Sequence, residues 1–171
     1  MAKCPNCGEE VGEEYYFCKF CGAKLGAAAP TMPDVVQPAE DNVKNAVLRR
    51  FDALKNRDEN AMRGLVDTQY TKFDDWPPHR RQEAEEALRN EFGAFRVLSN
   101  YSYEIKDLDV KIFGDAAVAT FHVRYQGEIR NRRFEVVSRA TYAFAKRSGE
   151  WKLVHEHLSR FPEERRRGFF G

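Results

Sequence analysis

The four cysteines of this chain form two Cys-x-x-Cys-Gly motifs, from Cys4 to Gly8 and from Cys18 to Gly22. Two residues between paired cysteines let both sulfurs face one ion, and the glycine tolerates the positive φ that turns backbone N–H groups toward the thiolates. Four thiolates with no open position suit zinc. So short a segment cannot bury enough core to fold unaided, and zinc supplies about 10–16 kcal/mol in comparable peptides. The pattern predicts one structural zinc ion per chain, held by Cys4, Cys7, Cys18 and Cys21.

The alternatives to zinc at these thiolates are an iron-loaded, rubredoxin-like site and a set of redox-active cysteines. Residues 3–25 resemble the short zinc-ribbon modules found at the N-termini of many archaeal and bacterial proteins, and the resemblance includes both motifs. We therefore expect a zinc ribbon over residues 1–25.

The predicted ribbon is acidic, since its peptide carries one net negative charge and four thiolates with one dication add two more. A closed four-thiolate site has no vacancy for a substrate, so we expect no catalysis there. An acidic module is a poor ligand for phosphate, so we expect no nucleic-acid binding either. A docking contact with a protein partner is the preferred role, made through the aromatic residues Tyr15, Tyr16 or Phe20. The alternative is that one or two aromatics only cover the metal site, and this role is preferred for Phe17.

The chain as a whole is nearly neutral, with 28 lysines and arginines against 27 aspartates and glutamates. A dedicated nucleic-acid binder is usually more basic. No run approaches the roughly 18 apolar residues that a membrane-spanning helix needs, and the N-terminus has no apolar signal-peptide core. We expect a cytoplasmic protein without membrane contact, where thiols stay reduced.

Beyond Leu25 the residues become small, proline-bearing and aperiodic, which predicts a linker over residues 26–40. Three helices are predicted next. The first begins at Asp41, a short second one at Asp58, and a third near Pro78 or His79. The apolar stripe of the first is Val43, Ala46, Val47, Phe51 and Leu54, and that of the third is Ala84, Ala87, Leu88, Phe92 and Phe95.

From Tyr101 the apolar period changes to two, which predicts four strands separated by glycine-bearing turns, at about 101–113, 115–126, 132–147 and 150–159. Helices followed by a strand meander predict an α+β domain over residues 41–161, with the helices on one face of a mainly antiparallel sheet. Residues 162–171 have no period, and we expect a flexible tail.

The segment 138–159 resembles the last two strands of SnoaL-like domains, which belong to the nuclear-transport-factor-2-like superfamily. It is also similar to the association domain of calcium/calmodulin-dependent kinase II, which ends in a comparable Trp-x-x-Val-His-x-His-x-Ser run. Residues 110–119 fit the preceding hairpin. The resemblance implies a cone, in which a curved antiparallel sheet packs on three N-terminal helices and leaves a pocket at its open end. It also implies a homodimer through the outer face of the sheet.

Acid–base members of this superfamily place a carboxylate or a histidine in the pocket, which makes several residues candidates here. Alternation predicts that His155 and His157 share a strand face with Trp151 and Leu153. A histidine there would serve as a general base, or it would hydrogen-bond across the sheet or in a dimer interface. The stretch 70–78 is expected to line the cone mouth or to cover the core. The pocket candidates are Tyr70, Asp75, Trp76, His122, Arg139, Tyr142, His155 and His157.

Two functions fit these expectations, because the superfamily contains isomerases, hydratases and cyclases as well as binding and assembly domains. The preferred hypothesis is a non-catalytic, homodimeric module that binds a small molecule or assembles a complex, with the ribbon docking a partner. The alternative is a small isomerase or hydrolase that uses a pocket histidine or aspartate as general acid or base. The sequence leaves catalysis undecided and names no catalytic residue.

Overall fold

The computed structural model describes residues 2–4, 6–11, 21 and 36–162. The chain divides into two compact units, Met1–Val36 and Gln37–Gly171. Several predictions fall outside the described residues, namely the ligand Cys18, the ribbon aromatics, most of the linker and nearly all of the tail. Within the described ranges, no helix has both the length and the apolar character that crossing a bilayer requires.

The first unit contains a small antiparallel pair, β1 Ala2–Lys3 with β2 Glu10–Val11. A tight turn follows β1, in which the Gly8 N–H donates to the Cys4 carbonyl and the Cys4 N–H to the Glu9 carbonyl, both at 2.9 Å. Gly8 has a φ of 76°, a conformation that favours glycine. The positive φ expected at the glycine after the first cysteine pair is therefore confirmed.

Three helices form among residues 36–162, as predicted: α1 Val36–Asn56, α2 Glu59–Leu65 and α3 Ala84–Phe95. The first begins earlier than expected, so Asp41 lies inside it rather than capping it. The cap of the second is confirmed, since Asp58 Oδ1 accepts a hydrogen bond from the Ala61 N–H at 2.9 Å. That bond pairs one of the N–H groups that a helix start leaves unsatisfied.

The sheet of the second unit has six strands in the order β4-β3-β8-β7-β6-β5. All neighbours pair antiparallel except β3 and β8, which are parallel. The strands are β3 Val66–Phe73, β4 Gln82–Glu83, β5 Leu98–Phe113, β6 Ala116–Ile129, β7 Arg132–Arg147 and β8 Glu150–Arg160. The four predicted strands are confirmed as β5 to β8, and the α+β class with them.

The strands β3 and β4 were not expected from the sequence. The buried positions of β3 carry Asp67, Tyr70 and Lys72. The strand therefore lacks the alternating apolar residues by which a strand is predicted. The short β4 pairs Gln82 with Lys72. Because this pairing holds residues 82–83 extended, α3 begins at Ala84 and not near Pro78 or His79.

A bulge in β8 reverses its side-chain alternation. Phe144 pairs with Leu153 whereas Ala143 pairs with His155, so Val154 has no partner in the ladder. An extra residue of this kind moves every later side chain to the other face. Leu153 is buried in the core, and His155 and His157 lie on the outer face. The prediction that they share a face with Leu153 is wrong for this reason.

The core lies between α1 and the inner face of the sheet. Phe51 of α1 is at its centre, with its ring centroid 5.1 Å from that of Tyr103, 5.9 Å from Phe121 and 6.3 Å from Tyr142. Register shifts in β5, between Ser99 and Ser102 and between Lys106 and Asp109, mark irregularities of the kind that bend a strand. The sheet and α1 together leave a space beside Phe51.

Candidate functional site

A cavity of about 260 Å³ lies in the second unit. Its apolar lining comes from α1, α3, the strands and the segment after β3, and includes Phe51, Leu54, Trp76, Phe95, Leu98, Phe134 and Leu158. Its polar lining is Lys72, Asp74, Asp75, Gln82, Asn90, Glu91, Tyr101, Tyr125, Tyr142 and Glu156. An apolar space with a few converging polar groups is the usual form of a small-molecule site.

Four buried charged side chains and the half-buried Asp74 form an ionic network at one side of this cavity. Arg50 Nη2 lies 2.5 Å from Glu91 Oε1, and Arg50 Nε donates to Glu156 Oε2 at 3.1 Å. Lys72 Nζ lies 2.6 Å from Glu91 Oε1, 3.2 Å from Glu156 Oε1 and 2.8 Å from Asp74 Oδ2. The ammonium of Lys72 therefore contacts one carboxylate for each of its three N–H groups.

The network favours the charged forms of Glu156 and Lys72. Burial disfavours the charge of Glu156, but Arg50 and Lys72 outweigh this and lower its pKa below the ordinary value. Burial likewise opposes the charge of Lys72, and Glu156 and Glu91 outweigh it and raise its pKa. Since each partner depends on the others, these side chains form a rigid, pre-organised network, and Lys72, Glu91 and Glu156 line the cavity.

This network was not predicted from the sequence, although a signal for it exists. Arg50 lies on the apolar stripe of α1, three residues after Val47 and four before Leu54. Lys72 and Glu156 take inward positions in strands. A charged residue at a core position is the informative departure from the pattern, and it needs a partner of opposite charge elsewhere in the fold.

Asp75 forms a second polar cluster in the lining. The Tyr125 hydroxyl donates to Asp75 Oδ1 at 2.6 Å, and the Ser138 hydroxyl donates to Oδ2. The Trp76 indole N–H donates to the Tyr125 oxygen at 2.8 Å. Burial raises the pKa of Asp75 and the charge of Asp74 adds to the rise, whereas the Ser138 and Tyr125 hydrogen bonds oppose it. Asp75 is thus the carboxyl of the lining whose pKa moves toward neutrality.

The structure brings together three of the eight predicted pocket residues, because Asp75, Trp76 and Tyr142 all line the cavity. Tyr70 is completely buried beside it, and its hydroxyl donates to Glu156 Oε2 at 3.1 Å. The other four, His122, Arg139, His155 and His157, are not in its lining.

Those four residues lie on the outer face of the sheet, where His122 is opposite Arg139. His155 Nδ1 lies 2.8 Å from Thr71 Oγ1 on the neighbouring strand, and the Phe73 ring packs against His155 and His157. Burial and the neighbouring His157 lower the pKa of His155. These contacts fit the alternative in which the histidines hydrogen-bond across the sheet.

The described cysteines of the first unit converge on one point. The sulfurs of Cys4, Cys7 and Cys21 lie within 4.8 Å of one another, and those of Cys4 and Cys21 are 3.7 Å apart. Two thiolates at tetrahedral angles on one zinc ion are about 3.8 Å apart, given a Zn–S length of about 2.3 Å. The Cys7 backbone N–H lowers the pKa of the Cys4 thiol, which favours the thiolate that a metal needs. The three sulfurs therefore fit a metal site of the zinc-ribbon type.

Comparison with known proteins identifies both units. The model of the SnoaL-like domain matches residues 43–164, and that of a zinc-ribbon domain matches residues 3–25. No curated protein matches the chain.

Three solved structures are similar to the second unit. The association domain of CaMKII from C. elegans is 22% identical, with a TM-score of 0.62, over 74% of this chain and 98% of that one. A candidate dehydratase of the NTF2-like family from Streptomyces avermitilis is 18% identical, with a TM-score of 0.68, over 74% and 99%. A hexachlorocyclohexane dehydrochlorinase, LinA type 2, is 11% identical, with a TM-score of 0.66, over 74% and 88%. At these identities the similarity establishes the fold alone.

Proposed function

The chain belongs to the SnoaL-like family, and from that premise we propose that it is a ligand-binding module whose cavity holds a small molecule without transforming it. The observation that carries the proposal is the cavity of about 260 Å³, with aromatic walls and buried polar side chains at its lining. Solved structures of this fold include both an association domain and a dehydrochlorinase, so the fold alone does not decide between binding and catalysis.

The state of the ionisable groups favours binding. A general acid or base works best with a pKa near the operating pH. The ionic network moves the pKa values of Glu156 and Asp74 down and that of Lys72 up, in each case away from neutrality. No histidine in the described part of the chain lines this cavity. Most of the polar lining therefore positions a ligand and does not exchange protons with it.

Native mass spectrometry of protein purified without chelators tests the binding proposal. We expect an added mass of small-molecule size on the wild-type chain. Ala94 is exposed and lines the cavity, so Ala94→Phe should fill its rim without disturbing the core, and the added mass should disappear. The matched control is Ala116→Phe at an exposed position of β6, which should retain it. A wild-type spectrum without added mass, or equal retention in Ala94→Phe, would count against the proposal.

A homodimer through the outer face of the sheet is part of the proposal. Phe73 is 37% exposed there, and apolar side chains on an outer face are commonly covered by a second subunit. Thr141 lies on this face opposite His157 and is exposed. We expect Thr141→Glu to give a monomer in light scattering and Thr141→Ser to remain a dimer. A wild-type monomer would exclude this arrangement.

We further propose that the first unit binds one structural zinc ion, with Cys18 as the fourth ligand, and that the ribbon docks a protein partner. Four-thiolate binding needs reduced cysteines, so the predicted cytoplasmic location belongs to the same proposal. Elemental analysis should give one zinc per chain, and Cys18→Ser should lower that ratio. Deleting residues 1–30 should abolish partner binding, and retention of every partner by the shortened chain would refute docking.

Acid–base catalysis by Asp75 is the second candidate function, and one observation favours it. Asp75 is a cavity carboxyl with a raised pKa, as a general acid or base in an apolar site requires. In this case Asp75 would exchange a proton with the bound molecule, and Tyr125 and Ser138 would orient its carboxyl group. Chemical change of the retained ligand by the wild type but not by Asp75→Asn would support catalysis over binding.

A further inference from the structure

Two polar atoms at the cavity lack a partner. Among the described residues, Glu91 Oε2 and Gln82 Nε2 are buried without a hydrogen bond, and both side chains line the cavity. Gln82 is 1% exposed and Glu91 is 8% exposed. Such groups are rare because burying an unpaired donor or acceptor is unfavourable, and each one calls for an explanation. A ligand that forms hydrogen bonds with both atoms would remove this unfavourable burial.

In both side chains the Oε1 atom already accepts hydrogen bonds, and these bonds determine which atom is left without a partner. Asn90 Nδ2 donates to Gln82 Oε1 at 2.7 Å, so the Gln82 amide directs its N–H groups elsewhere. Glu91 Oε1 accepts from Arg50 and Lys72, so Oε2 is the oxygen without a donor. Two side chains of the lining thus carry one donor and one acceptor that no described protein group pairs.

The surrounding charge argues against an anionic ligand. The cations Arg50 and Lys72 are matched by three carboxylates, Asp74, Glu91 and Glu156, which leaves one net negative charge even with Asp75 protonated. Each N–H of the Lys72 ammonium already has a carboxylate partner, so Lys72 is not available to an external anion. A carboxylate ligand would meet repulsion there without gaining a new cation.

An ammonium ligand could donate to Glu91 Oε2 but could not accept from Gln82 Nε2, so it would pair with only one of the two atoms. A primary carboxamide does both. The walls supply aromatic surface from Trp76 and Phe134, whose ring centroids are 5.3 Å apart. We propose that the cavity selects neutral molecules in which a primary carboxamide, or a group of the same donor–acceptor pattern, is carried on an apolar ring. This inference rests on the proposed ligand binding.

Three probes of similar size and different polar end test the inference: benzamide, benzoate and benzylammonium. The readout is the indole N–H signal of Trp76 in two-dimensional NMR of the full, zinc-loaded chain. The chain has two tryptophans, so Trp151→Phe assigns the signal. Leaving one buried polar group unpaired lowers the affinity by about a factor of ten or more. Benzamide should therefore bind at least about tenfold more tightly than either charged probe.

Glu91→Gln then replaces the acceptor at the unpaired Oε2 position by a donor. Arg50 and Lys72 still need the remaining oxygen, so the new amide N–H₂ replaces Oε2. The preference for benzamide over benzoate should fall at least about tenfold. The control Glu85→Gln makes the same change at an exposed position of the same helix and should leave all three affinities unchanged.

Gln82→Met keeps the inference testable if Glu91→Gln does not fold. It removes the donor, so benzamide should weaken while benzylammonium stays the same. Equal affinities for the three probes, or tighter binding of either charged probe, would overturn the carboxamide inference and leave ligand binding in place. No response of Trp76 to any probe would overturn both.

Discussion

Replacing Glu156 by glutamine perturbs the buried ionic network at its best-connected carboxylate. Glu156 is 2% exposed, and it meets Arg50 at 3.1 Å, Tyr70 at 3.1 Å and Lys72 at 3.2 Å. Removing one partner of a buried ion pair costs about 3–5 kcal/mol, because the remaining charge is left without compensation. Here Arg50 and Lys72 keep Glu91 as a partner. We therefore expect a loss of about 3 kcal/mol in the free energy of unfolding, at the lower end of that range.

Urea denaturation followed by circular dichroism measures this loss, with an unchanged denaturant slope as evidence that both proteins unfold in the same way. The matched control is Glu85→Gln, which removes an exposed carboxylate paired with Arg63 and should change stability by less than about 0.5 kcal/mol.

The pH dependence provides a second test with a definite sign. The folded-state pKa of Glu156 lies below its ordinary value of 4.5. Its charged form therefore stabilises the fold above that value, and the contribution is lost as the pH falls through the lower folded-state pKa. The difference between the wild type and Glu156→Gln should shrink in acid. A loss below about 1 kcal/mol at neutral pH, or a difference that grows in acid, would refute the network's role.

Three further predictions address other parts of the chain. Asp58→Ala should destabilise the fold by about 1 kcal/mol in urea denaturation, because it removes the cap of α2, and Asp58→Asn should restore most of the loss. Asp75→Asn should gain stability relative to the wild type as the pH rises above the ordinary Asp75 pKa of 3.8, since a raised folded-state pKa means that stability is lost on ionisation; a constant difference would contradict this. Cys4→Ser should abolish stoichiometric zinc in elemental analysis while an exposed change such as Glu9→Gln should not.

The strands β5 to β8 and the three helices could be predicted because their apolar residues keep a clear period of two or of 3.6. The strand β3 could not, because its buried positions hold Asp67, Tyr70 and Lys72, whose burial depends on partners distant in sequence. Hydrophobic periodicity carries no information about such positions.

The candidate site was predictable only in part, for a related reason. Asp75 and Trp76 were predicted because a carboxylate and an aromatic side chain lie in one loop, and both line the cavity. His155 and His157 were predicted in the pocket because a histidine can act as a general base. The bulge at Val154 puts both on the outer face instead. A one-residue bulge has no reliable sequence signal, but it decides that Glu156 and not its histidine neighbours faces the cavity.

The most direct test of ligand binding is a crystal structure of the zinc-loaded chain soaked with benzamide. We predict density for the ring against Trp76, with the carboxamide N–H₂ donating to Glu91 Oε2 and its oxygen accepting from Gln82 Nε2. A structure in which benzamide stays out of the cavity, while Glu91 and Gln82 pair with each other or with other side chains, would contradict the account.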